Sequence, residues 1–172
     1  MIVPLFHAVF PLYQKAAQAS ETEAIEVGRS TTKLGNRHAT VLPRWPQIAM
    51  LANEQTLLPM LIPLAPAVSL AISFAGALLN TLARLRSAAF AYDSEASEMQ
   101  VVKCAKTPNR SVVGIMTEFA YLAEAYRNHD KPNDLIELSL KLARWPFSPL
   151  YKGPVSSERA LKASTNDGGA VA

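Results

Sequence analysis

Between Val112 and Tyr126 the apolar residues fall at Val112, Ile115, Met116, Phe119, Leu122, Ala123 and Tyr126, the spacing of one face of an α-helix. Thr117, Glu118, Tyr121 and Glu124 fall on the opposite side. The pattern predicts an amphipathic helix that starts near residue 110 and runs to Arg127. It is entered from a short strand at 101–105 through a polar turn. His129-Asp130-Lys131-Pro132 ends it. Asp134 followed by Glu137 matches a capping box and predicts a second helix at 135–143, apolar around most of its circumference. Trp145 to Tyr151, with Pro146 and Pro149, reads as a rigid aromatic turn, and Ser156 as the cap of a last short helix at 157–163.

Upstream the pattern changes from helical to strand-like. Residues 38–42, 47–52 and 56–62 are β-rich runs, with Ile48, Met50 and Ala52 on one face of the second. The tight turn at Asn53-Glu54 between the last two makes them a hairpin. Pro59 has to sit on an edge or at a bulge, because a proline cannot donate to a central ladder. Residues 56–83 carry no charge and are long enough to span a bilayer. Pro59, Pro63 and Pro66 divide them into a strand and a helix at 67–85. That helix holds Ser69, Ser73, Gly76, Asn80 and Thr81, so a buried core helix is expected and no membrane span. Arg84 and Arg86 suit its C-terminus. Residues 87–99 form a mixed connection. Residues 1–29, with a helix candidate at 14–26 and a capping box at Ser20 and Glu23, stand apart as an N-terminal extension. Residues 30–163 form a single α+β domain and 164–172 a disordered polar tail. The expected architecture is a small antiparallel sheet, the hairpin about 39–62 plus the strand about 101–105, packed against three or four helices.

Composition narrows the function classes. A chain of 172 residues suits one domain with a real core. With 49% hydrophobic and 18% charged residues it is not a disordered chain. A formal charge of +3 is too small to argue for nucleic acid. The single cysteine, Cys104, rules out a disulfide framework within one chain and fits a reducing cytoplasm. The first residues are apolar, lack a basic flank and are broken by Pro4 and Pro11, so no signal peptide is expected.

Candidate chemistry gathers at the start of the amphipathic helix. Lys106, Asn109, Arg110 and Ser111, with Thr107, put hydrogen-bond donors where backbone N–H groups are also unpaired, a site for phosphate or carboxylate. The competing reading is a capped helix whose Arg110 pairs with Glu54 or Glu118. Glu118, about two turns along, is the candidate acid or base if the site is catalytic. There is no glycine-rich phosphate loop ending in Lys-Ser/Thr, no Gly-x-Ser-x-Gly elbow, and no metal-ligand spacing among His7, His38 and His129. No cofactor or metal is expected. His38, beside Arg37, reads as a surface or strand residue. Trp45 and Trp145 read as core plugs, or, beside Arg44 and Arg144, as platforms for a stacked base. Three function classes follow. The first is a non-enzymatic module binding an anionic ligand or a protein partner through the 106–111 turn. The second is an enzyme of unassigned class, with Lys106 and Arg110 as clamps and Glu118 as acid or base. The third is a nucleic-acid-associated protein of a plasmid or mobile element.

Several blocks occur in a familiar order: Thr32-Lys-Leu-Gly with Ala39-Thr-Val-Leu, Asn53-Glu-Gln-Thr-Leu-Leu-Pro with Pro63-Leu-Ala-Pro, Ala105-Lys-Thr with Asn109-Arg-Ser-Val-Val-Gly-Ile-Met and Glu118-Phe, then Ser148-Pro-Leu-Tyr-Lys and Ser156 ahead of Leu161. Over residues 30–163 the chain resembles a family of uncharacterised bacterial proteins defined as a domain of unknown function. It departs from that pattern at Arg37-His38, where the family has an aromatic pair, at Thr117, where it has Asn, and at Trp145-Pro-Phe, where it has a Thr-Pro-Cys turn. The resemblance implies a compact α+β domain from bacteria or their plasmids and brings no activity or catalytic residue with it.

Overall fold

The computed structural model describes residues 2–5, 34–42, 47–64, 70–85, 103–106, 110–130, 134–147 and 150–166. They form strands β1 (Ile2–Leu5), β2 (Arg37–Leu42), β3 (Ile48–Asn53), β4 (Pro59–Pro63) and β5 (Lys103–Lys106), and helices α1 (Leu70–Arg84), α2 (Arg110–Asp130), α3 (Leu135–Arg144) and α4 (Ser157–Asn166). The expected helix at 14–26, the 87–99 connection and Trp45 lie outside the described residues.

The fold is α+β, as the alternation of patterns requires. The sheet has five strands in the order β4-β3-β2-β1-β5. β2, β3 and β4 form an antiparallel meander, with Ala39 opposite Leu51 and Leu51 opposite Met60. β1 joins β2 and β5 in parallel, with Leu5 opposite both Ala39 and Lys106. The sheet is therefore mixed, where an antiparallel one was expected. The strand foreseen at 101–105 is β5, and it reaches the meander only through β1.

Side chains alternate across the meander and divide the core in two. Ala39, Ala49, Leu51, Met60 and Ile62 pack on one side with Phe74, Leu78 and Leu82 of α1. Leu42, Ile48, Met50, Ala52 and Leu61 pack on the other with Val112, Ile115, Met116, Phe119 and Ala123 of α2. The apolar stripe of α2 thus faces the sheet as its spacing predicts, with Leu122 and Tyr126 at its partly buried border. The uncharged stretch 56–83 is divided between β4 and α1 as the prolines indicate. At 15 residues α1 is shorter than the ~20 needed to cross a bilayer, and no helix among the described residues is long and apolar enough to do so.

Helix α3 contributes to both cores. Leu138 and Leu142 belong to the α2 side, Leu140 and Ala143 to the α1 side. It lies along β4, whose far edge it closes. Alternate backbone groups of an edge strand point away from the sheet. In β4 these belong to Pro59, Leu61 and Pro63. Two of the three are prolines and carry no N–H. The third, the Leu61 N–H, donates to Ser139 Oγ at 2.9 Å, while the same hydroxyl donates to Leu135 O at 2.8 Å. Pro59 sits on the edge, as its chemistry demands. At its start α3 is capped by Asp134, whose Oδ1 accepts from Ile136 N at 2.8 Å. The other oxygen of Asp134 meets Arg84 at the end of α1, 3.3 Å away.

The β3–β4 connection carries backbone strain. Leu57 holds φ 55°, a left-handed conformation that costs a non-glycine residue about 1–2 kcal/mol. Its surroundings hold it there. Its N–H donates to Asn53 O, its carbonyl accepts from the buried Ser157 hydroxyl at 2.9 Å, and its side chain joins the α2-side core. Beyond α3 the aromatic turn differs from expectation. Trp145 is 42% exposed, its ring T-shaped against that of Tyr126 with centroids 6.2 Å apart. Phe147 is the core plug, its ring 4.1 Å from that of Phe119. Helix α4 starts after Ser156 and runs to Asn166, three residues beyond the expected end.

Replacing Ser139 with Ala leaves the Leu61 N–H buried without an acceptor. The expected loss is about 1–3 kcal/mol. In urea unfolding the midpoint falls and the slope does not change. Faster hydrogen exchange at the Leu61 amide accompanies it; an unchanged midpoint contradicts this account of the edge.

Candidate functional site

Two polar regions stand out, on different strands of the sheet. The first is the turn from β5 into α2. β5 ends at Lys106, beside the carboxyl end of β1. Helix α2 begins at Arg110, and Arg110 and Ser111 are exposed. Asn109 and Thr107 lie outside the described residues. Glu118 is also exposed, eight residues on. At 1.5 Å and 100° per residue it stands about 12 Å along the axis and about 80° round from Arg110. Glu54, the other acid considered as a partner for Arg110, is bonded to His38 instead.

The second region was not singled out from the sequence. The β2–β3 ladder runs on one residue past Arg37 and Asn53, where Glu54 N donates to Asn36 O at 3.0 Å. Four polar residues next to this end are withdrawn from water, and they divide between the two faces of the sheet. Arg37 and Asn53 are on the α1 side. Arg37 is 1% exposed, donates to Gly35 O, and stacks its guanidinium 6.0 Å from the centre of the Phe74 ring. Asn53 uses both ends of its amide. Its Nδ2 donates to Leu34 O at 3.1 Å, and its Oδ1 accepts from Leu58 N at 2.7 Å and Thr56 Oγ1 at 2.9 Å. One side chain thus ties the segment before β2 to the turn between β3 and β4.

Asn36 and His38 share the opposite, α2-side face with Ala52 and Glu54. His38 is 1% exposed and lies on a strand, so the surface alternative is corrected. Its Nε2 is 2.8 Å from Glu54 Oε1. A carboxylate oxygen accepts, so Nε2 carries the hydrogen. Burial lowers the pKa of His38 below the usual imidazole value, against the opposing pull of the Glu54 hydrogen bond and charge. Gly35 makes the approach with a left-handed φ of 76°, and a Cβ there would lie 3.3 Å from Gln55 Cγ. The signal for this region was present in two blocks of the sequence, Thr32-Lys-Leu-Gly and Asn53-Glu-Gln-Thr; the fold brings Leu34 and Gly35 of the first beside Asn53 and Gln55 of the second. Among the described residues no group of three or more His, Cys, Asp or Glu side chains is arranged to hold a metal.

Comparison with known families gives a match over residues 12–160 to the family described as Domain of unknown function (DUF6933). The chain belongs to the DUF6933 family. No curated protein and no solved structure matches it. The DUF6933 match spans both polar regions, the β5–α2 turn and the Asn36–Glu54 corner, along with the whole antiparallel meander.

Acid sensitivity of this DUF6933 chain follows from His38. Its folded-state pKa is depressed, so the unfolded chain binds a proton first as pH falls. The stability held by neutral His38 is complete above the ordinary imidazole value of 6.5 and is lost as pH drops from there toward the lower folded value. Glu158 acts in a lower window. Burial raises its pKa, but hydrogen bonds from Lys162 and Arg144 outweigh that and leave it below 4.5. Its contribution is present above 4.5 and fades beneath it. Urea midpoints measured from pH 8 to 4 are expected to begin falling near 6.5, and His38→Gln is expected to flatten that first step while sparing the second.

Proposed function

We propose that this chain is a non-enzymatic binding module that takes an anionic group, a phosphate or carboxylate, at the turn from β5 into α2. The observation that carries the reading is the pairing of β5 with β1. Two parallel strands bring their carboxyl ends together at Leu5 and Lys106, and a 21-residue helix starts four residues later with Arg110 and Ser111 exposed. Crevices beyond the carboxyl ends of parallel strands are where open sheets with helices receive ligands, and a helix start supplies unpaired N–H groups and the positive end of the dipole. Lys106, Asn109, Arg110 and Ser111 are the residues assigned to the anion.

The catalytic alternative needs Glu118 at the same small substrate, and its distance along α2 from Arg110 speaks against that. A nucleic-acid surface needs a continuous run of unpaired cations. Cations of the C-terminal helices meet acids instead: Lys141 with Glu137, and Arg144 and Lys162 with Glu158.

Inorganic phosphate titrated into the ¹⁵N-labelled chain is expected to shift the Arg110 and Ser111 amides saturably. Arg110→Ala removes a charge-assisted hydrogen bond of about 1.5–3 kcal/mol, so binding weakens by about tenfold or more. Its melting temperature is expected to stay near that of the parent, because Arg110 is exposed. Amides that do not move, or equal affinity in the variant, would refute the reading.

A further inference from the structure

The Asn36–His38–Glu54 corner has a feature that its internal hydrogen bonds do not account for. Asn36 is 8% exposed, and its Oδ1 finds no hydrogen-bond partner among the described residues. Buried amide oxygens are nearly always bonded, so one that is not calls for a donor beyond those the described residues supply. The position of this oxygen indicates the donor. Asn36 stands opposite Glu54 in the ladder, on the same face as His38, where paired side chains are near neighbours.

Glu54 is the open side of the corner, its side chain 33% exposed. One of its carboxylate oxygens, Oε1, is held by the His38 Nε2–H. That bond orients the carboxylate and leaves Oε2 with lone pairs to offer. A carboxylate and a carboxamide oxygen at paired positions on one face, both acceptors, disfavour an anion. They complement a group that brings several N–H donors and a positive charge.

We propose that this corner binds a primary ammonium group, with Glu54 as the charged acceptor, Asn36 Oδ1 as the second acceptor and His38 as the residue that positions Glu54. The site is distinct from the β5–α2 turn. Lys106 lies level with Leu5 and Ala39, and β1 stands between β2 and β5, so the end of β5 and the Asn36 corner are on separate strands. It would accept the opposite sign of charge.

The test uses the whole ¹⁵N-labelled chain at pH 7.5 and two probes, n-butylammonium and tetramethylammonium, which carry the same charge but differ in having N–H donors. Butylammonium is expected to shift the Asn36 side-chain amide and the His38 ring signals saturably, and tetramethylammonium to leave them in place. Glu54→Gln, a part-exposed substitution that keeps the shape, is expected to weaken butylammonium at least tenfold. Asn36→Ala is expected to weaken it as well while its main-chain carbonyl still receives the Glu54 N–H. Nα-acetyl-lysinamide distinguishes the source of the group: binding tighter than butylammonium assigns the corner to a lysine side chain, and weaker binding assigns it to a small amine. No saturable shift with butylammonium overturns the proposal. Equal shifts from the two cations, or unchanged affinity in Glu54→Gln, overturn it too, and none of these results depends on phosphate binding at the β5–α2 turn.

Discussion

Strand β3 has no side open to water. All six of its residues, Ile48 to Asn53, are buried. That condition sets the rest of the architecture. A strand covered on both faces needs apolar residues at successive positions, and it needs a helix on each side, which α1 and α2 supply. It also leaves no solvent to satisfy the polar groups where the ladder ends. At that end Asn53 bonds to Leu34, Thr56 and Leu58, so a single amide replaces the water that a wetter turn would use. Leu57 keeps its left-handed backbone within the same enclosure, held by Ser157 from a hundred residues away.

Much of this was legible because it is written locally. The α2 stripe, the Asp134 cap, the prolines that divide 56–83 and the start of α4 at Ser156 are all statements about residues a few positions apart. What escaped is written across distance. β1 has four residues and contains Pro4, so neither period nor propensity marks it, and only its neighbours β2 and β5 make it a strand. β5 was visible as a strand, but parallel pairing leaves no hairpin turn from which to read its partner. The surface reading of His38, beside Arg37, misled for a different reason. Charged residues are mostly exposed, and the features that bury these two, the Phe74 ring and the Glu54 carboxylate, come from other segments.

The candidate sites divide the same way. The cations before α2 were conspicuous in the sequence because helix starts have a local signature, and the described part of that cluster, Arg110 and Ser111, is exposed where the chain leaves the sheet. The Asn36–His38–Glu54 corner has no such signature. It exists because the residue before β2, the second residue of β2 and the first residue beyond β3 fall on one face of the sheet. Membership in DUF6933 ties both regions to one family domain and leaves their chemistry to be argued from the side chains.

The closed edge of β4 bears on how copies of this chain behave toward one another. A foreign strand docks on a sheet by reading a row of outward N–H and C=O groups. On β4 that row has lost two donors to Pro59 and Pro63, and its third is occupied by Ser139. Helix α3 also stands in the approach. Polymerisation by strand addition therefore has no foothold on this flank, however apolar the β4 sequence looks on its own.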